Sequence, residues 1–237
     1  MTHQEFWTRV QDELGPYDLL KHPFYQAWSA GELTQDELSV YGRQYLNHVA
    51  AFPAYLTALH ARLPEGETRR AVLRNAADEE VHGTSHADLW REFVRGMENG
   101  AEGEPEAILP EMAALVETFA ALAREGSPMS ALGAFYAYES QVPRIAEEKL
   151  AGLKKFYGAD DAACAYFQLH RTADVHHAAV WRRLMEQEME ATPGGAEQAL
   201  DGVRQGAQAL WRALDGIEAE RLAARNRSGH PAASCCA

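Results

Sequence analysis

The apolar and polar positions of this chain keep a helical period almost from end to end. In TQDELSVYGRQYLNHVAAFPAYLTALHARL, Leu38, Tyr41, Tyr45, Leu46 and Val49 recur at the three- and four-residue spacings of one helix face. Thr34 followed by Glu37 predicts a capping box at its start, and Pro53 predicts a kink or a split. Further helical runs cover about 3–14, 17–30, 67–98, 109–125, 128–152, 159–190 and 195–224. No stretch shows the β-branched alternation of a strand. The breaks LPEGE, NGAEGEPEAILP, EGSP, FYGAD and TPGG are the length of loops within a domain. The final RNRSGHPAASCCA has no period and reads as a disordered tail. The expectation is an all-α fold of seven or eight helices, a single domain over 1–224 and a tail over 225–237.

Composition narrows the class. With 237 residues, 46% of them apolar, the chain can close a substantial core. A net charge of −13 argues against a nucleic-acid partner, which needs clustered Lys and Arg to track phosphates. Three cysteines, Cys164, Cys235 and Cys236, do not make a disulfide framework, and a reducing cytoplasm is the simplest setting. The opening MTHQEFWTRVQDEL is amphipathic and charged, unlike a signal peptide. No window nears the ~18 apolar residues of a membrane span. A cytoplasmic protein with neither a nucleic-acid nor a membrane partner is expected; whether it forms a homodimer is left open.

Polar chemistry concentrates on three of the predicted helices. In HRTADVHHAAVW, an advance of about 100° per residue puts His170, Asp174 and His177 within an arc of roughly 60°, and His176 about 120° from His170. In NAADEEVHGTSHADLW, Glu79 shares a face with either His82 or His86, about 60° and 20° away. In ALGAFYAYESQVP, Glu139 ends a nearly unbroken apolar run, and burying a carboxylate without a partner is costly. Taken singly, the histidine segments fit surface ion pairs, and Glu139 fits a core carboxylate satisfied by a Tyr or Arg. Together they supply the carboxylates and histidines of a dinuclear site in a helical bundle. Mixed His/carboxylate ligation suits iron or manganese, and one mid-chain cysteine is too few for a thiolate site.

The segments YLNHVAAFPAYLTALHARLP, DEEVHGTSHADLW, YAYESQVPRIAEEKLAGLKKFYG and LHRTADVHHAAVW resemble the heme-oxygenase-like diiron proteins of the CADD group (Chlamydia protein associating with death domains). That group belongs to the superfamily that includes PqqC and TenA. The resemblance runs to about residue 190 and keeps the order Glu-x6-His, Glu, His-x3-Asp-x2-His. It implies a heme-oxygenase-like (TenA/PqqC-like) bundle with metal ligands at Glu79, His86, Glu139, His170, Asp174 and His177. His82 is the alternative ligand, by the Glu-x2-His spacing of related alkene-forming oxidases. The implied cofactors are two iron ions, or one manganese and one iron, with O2 and an external reductant.

The implied function is an O2-activating oxidoreductase that makes p-aminobenzoate for folate biosynthesis from a tyrosine of its own, with no external aromatic substrate. The matching residues are Tyr25 in KHPFYQAW as ring source, Lys149 in AEEKLAGL as amino donor and Tyr138 as a second active-site tyrosine. Both tyrosines also fit an aromatic core. Lys149 lies ten residues beyond Glu139, roughly 15 Å along a straight helix, so it approaches the metals only if the helix bends, for which Pro143 is the candidate. TenA-type thiaminases rely on a catalytic cysteine; Cys164 reads instead as a small core residue. The alternatives are a diiron oxygenase acting on an external amino acid, amine or fatty acid, and a protein-interaction module of the same fold. The first predicts an open apolar channel ending at the metals; the second predicts function without metal and an exposed apolar helix face.

Overall fold

The computed structural model describes residues 1–98 and 107–227. Cys235 and Cys236, most of the acidic loop after residue 98, and the expected tail from 228 onward lie outside the described residues. Those described form ten α-helices and two 3-10 turns, without a strand. The helices are α1 (His3–Leu14), α2 (Pro23–Ala30), α3 (Gln35–Arg62), α4 (Glu67–Glu80), α5 (His86–Met97), α6 (Pro110–Arg124), α7 (Pro128–Glu139), α8 (Val142–Phe156), α9 (Asp161–Ala191) and α10 (Gly195–Arg227).

The count exceeds seven or eight because two expected runs are each broken in two. The run over 67–98 is interrupted at 81–85, where Gly83 takes a left-handed φ of 91° and Ser85 caps the next helix through the Asp88 amide. The run over 128–152 breaks at Ser140–Gln141, before α8 starts with Pro143 in its first turn. The expected helix over 17–30 begins instead as the two 3-10 turns Gly15–Tyr17 and Leu19–Lys21, and is α-helical only from Pro23. Pro53 does not split α3; one missing N–H is tolerated inside a helix that buries thirteen residues. The Thr34–Glu37 capping box forms as expected. α10 continues to Arg227, so residues 225–227 of the expected tail are helical.

α7 is the central element. From Met129 to Glu139 every residue is buried, as its near-uniform apolar sequence requires. α6, α9 and α10 pack around it. Its contact with α10 depends on glycine: a Cβ on Gly202 would collide with the Ser130 carbonyl, and one on Gly133 with the Ala199 carbonyl. The two backbones therefore lie almost in contact. The sheath fixes the end of α7, where Glu139 sits, against the middle of α9.

Candidate metal centre and the adjoining tyrosine–lysine chamber

Four helices bring the six expected ligands into one buried cage. Glu79 lies in the last turn of α4, His86 opens α5, Glu139 is the last residue of α7, and His170, Asp174 and His177 line one face of α9. All six are at most 5% exposed. His86 Nδ1 is 2.7 Å from Glu79 Oε2 and 3.1 Å from His170 Nε2. His177 Nδ1 is 3.3 Å from Asp174 Oδ1 and 3.5 Å from Glu139 Oε1. Donor atoms of Glu79, His86 and His170 lie within 4.8 Å of one another, as do those of Glu79, Glu139 and His177. Glu79 is common to both clusters. His82 is outside the cage: its side chain is 65% exposed and pairs with Asp78 at 2.8 Å.

The electrostatics of this cage call for a cation. Glu79 and Glu139 stand at the negative ends of two helix dipoles, an unfavourable place for buried carboxylates. Burial pushes Glu139 up to about 7, partly offset by His177. Burial also disfavours charged His177, but the adjacent Asp174 and Glu139 carboxylates outweigh that and push it up to about 11. Burial takes His170 down to about 4. Its Nδ1 faces the Tyr166 carbonyl at 2.8 Å; a carbonyl only accepts, so the proton is on Nδ1 and the Nε2 lone pair faces the cage. Asp174 Oδ1 and His177 Nδ1 are buried without a hydrogen-bond partner. An unpaired buried carboxylate oxygen, an unpaired buried ring nitrogen and a mixed N/O ligand set fit a bound transition metal.

A second chamber lies beside the cage. Lys149 Nζ donates to Tyr25 Oη at 3.0 Å and to Tyr41 Oη, and the two hydroxyls are 3.0 Å apart. The Lys149 nitrogen is 4.2 Å from the Tyr25 ring centroid. Burial drives the amine well below its usual range and raises the Tyr25 phenol, the hydrogen bond with Tyr41 offsetting part of that rise. The bend expected at Pro143 is instead a break at Ser140–Gln141, beyond which α8 carries Lys149 to Tyr25. The break is pinned by Gln141, whose Oε1 accepts from the Leu19 amide at 3.0 Å while Nε2 donates to the Ala137 carbonyl at 3.1 Å. The cavity here is about 20 Å³, room for about one water. Tyr138 and Tyr166 line this cavity and also a gap of about 10 Å³ between the ligands. These two rings are common to both. Cys164 is buried and free, on α9.

The match to known proteins covers most of the chain. Residues 40–211 fit the family model described as iron-containing redox enzyme. The chain belongs to that family. It is 38% identical to the 4-aminobenzoate synthase of Chlamydia pneumoniae, over 88% of this chain and 93% of that protein. It is 36% identical to the 4-aminobenzoate synthase of Nitrosomonas europaea, over 92% of each. Among solved structures it resembles a domain with a heme oxygenase-like fold from Shewanella denitrificans, with a TM-score of 0.76 and 17% identity over 99% of both chains. The fold is thus heme-oxygenase-like, as expected. No helix among the described residues is long and apolar enough to cross a membrane.

Several residues of the site escaped the sequence reading. Trp181 Nε1 donates to Glu139 Oε2, and Asn75 Nδ2 to Glu139 Oε1 at 3.3 Å. Tyr166 stacks on His170, with ring centroids 3.8 Å apart. Each stands four residues from an expected ligand on the same helix (Trp181 from His177, Asn75 from Glu79, Tyr166 from His170), so a helical wheel carried the signal. Tyr41 had none, since its link to Lys149 exists only in three dimensions.

Proposed function

We propose that the chain makes p-aminobenzoate for folate biosynthesis, with the ring of its own Tyr25 as the carbon source and the Lys149 amine as the nitrogen source. The observation that carries this reading is the Lys149–Tyr25 contact of 3.0 Å, in a chamber that shares Tyr138 and Tyr166 with the lining of the cage. The names of the relatives from Chlamydia pneumoniae and Nitrosomonas europaea support the product.

Glu79, His86, Glu139, His170, Asp174 and His177 would hold two iron ions, or one manganese and one iron. When bound, the ions supply electrons to O2 and turn it into an oxidant, with an external reductant restoring them. The chain's own residues do the rest. Burial pushes the Lys149 amine well below its usual range and so favours the unprotonated nitrogen, whose lone pair a new C–N bond requires. The aromatic cage of Tyr25, Tyr41 and Trp28 around that nitrogen keeps bulk water away and holds the amine against the phenol ring. Tyr138 and Tyr166 line both chambers, and their phenols are the side chains a charge transfer would cross. A cavity of about 20 Å³ suits a reaction on side chains already in place better than the entry of an external amino acid, amine or fatty acid.

Tyr25→Phe tests the assignment. It should keep the fold and both metals yet release no p-aminobenzoate under O2 and reductant, because the phenol is the oxidisable group. Product from Tyr25→Phe at the wild-type yield would refute Tyr25 as the source.

A further inference from the structure

One residue ties the buried cage to the surface and has no part in the chemistry above. Asp78 is in the last turn of α4, where three consecutive acidic residues, Asp78, Glu79 and Glu80, oppose the helix dipole and no basic residue offsets them. Its two oxygens are divided. Oδ1 meets His82 Nδ1 at 2.8 Å on the surface, an ordinary i,i+4 pair. Oδ2 faces His177 Nε2 at 3.3 Å, and the His177 side chain is only 5% exposed. A surface ion pair needs the first contact; it does not need the second.

We infer that Asp78 is a positioning residue of the metal centre: its carboxylate holds the Nε2–H of His177 and thereby aims the Nδ1 lone pair at the cation, while His82 clamps the carboxylate from outside. This rests on the metal-site reading above. The two ring nitrogens lie on opposite sides of the imidazole, so fixing one orients the other. An ionised carboxylate only accepts, which puts the proton on Nε2. Nδ1, buried and without a hydrogen bond, then faces Asp174 and Glu139 at 3.3 and 3.5 Å. His170 is held in the same manner by the Tyr166 carbonyl, through the opposite nitrogen. Outer partners of this kind typically change metal affinity by about 10- to 100-fold. His82 thus acts through Asp78 and is not a ligand.

The test compares Mn(II) binding to full-length wild type, Asp78→Ala, Asp78→Asn, His82→Gln, His177→Ala and Glu80→Ala. Glu80→Ala removes the same charge from the same exposed turn without touching His177. Asp78→Ala should weaken one of two Mn(II) sites by about 10- to 100-fold. Asp78→Asn, which keeps the shape and an accepting oxygen, should lose less, His82→Gln a few-fold at most, and Glu80→Ala nothing. In zinc-loaded protein labelled with 15N-histidine, the slowly exchanging Nε2–H of His177 should be present in wild type and absent in Asp78→Ala. Wild-type affinity in Asp78→Ala, an equal loss in Glu80→Ala, or an unchanged Nε2–H signal would each overturn the inference while leaving the metal site intact. Equal Mn(II) binding by wild type and His177→Ala would overturn the metal-site reading and this inference with it.

Discussion

Lys149 shows what function requires of a single residue. In the unfolded chain its amine holds a proton up to its ordinary value of 10.5; in the folded chain burial releases the proton well below that. Unfolding between those values takes up a proton, so this group's contribution to stability falls as pH drops from 10.5 towards the folded value. At pH 7 the buried amine opposes folding. Lys149→Met should therefore stabilise the fold by about 1–2 kcal/mol at neutral pH, read as a higher melting temperature, while abolishing p-aminobenzoate formation. A lower melting temperature would show that its bonds to Tyr25 and Tyr41 outweigh the desolvation. Glu139→Ala and His170→Ala address the cage directly: each should lose stoichiometric iron or manganese at one subsite or both, measured by metal analysis. The spacing of His170, Asp174 and His177 was legible because α9 is unbroken there. The choice between His82 and His86 was not, since on a continuous helix both share the face of Glu79. The turn at 81–85 is what sends His86 inward and leaves His82 in solvent.

At the level of elements, breaks and close contacts shape the site as much as the helices do. The interruption at Ser140–Gln141 redirects α8 so that Lys149 faces Tyr25, and Gln141 is buried with both amide atoms bonded. Gln141→Leu leaves the Leu19 amide and the Ala137 carbonyl without that partner and should cost about 1–3 kcal/mol by denaturant titration. It should also lower product yield with metal content unchanged, because the cage lies on the other side of the break. Gly202→Ala drives a methyl group into the Ser130 backbone, which cannot yield as a flexible side chain would. A loss of roughly 3 kcal/mol is expected; a neutral effect would mean α10 can slide on α7. Helical periodicity revealed these elements, but it could not reveal the breaks. SQVP at 140–143 and VHGTS at 81–85 contain few residues that forbid a helix, and the tertiary contacts of Gln141 and His86 decide where each run ends.

Across the whole molecule, metal, protons and stability are linked. His177 keeps its proton up to about 11 and Glu139 titrates near 7, so cations entering the cage must displace protons held there. Manganese affinity should then rise with pH between 6 and 8, by about tenfold per unit for each proton released. Chelation should lower the melting temperature by an amount that grows with the metal concentration it is compared against. An affinity independent of pH would mean the cage is not held together by protons in the absence of metal. The most direct test of self-conversion follows from the chamber, which holds ring and amine together and has little room for anything else. Protein made with ring-deuterated tyrosine, loaded with metal and exposed to O2 and reductant in unlabelled buffer, should release deuterated p-aminobenzoate at no more than one molecule per chain, with the mass changes confined to the peptides carrying Tyr25 and Lys149. Unlabelled product, or several turnovers with Tyr25 intact, would contradict it.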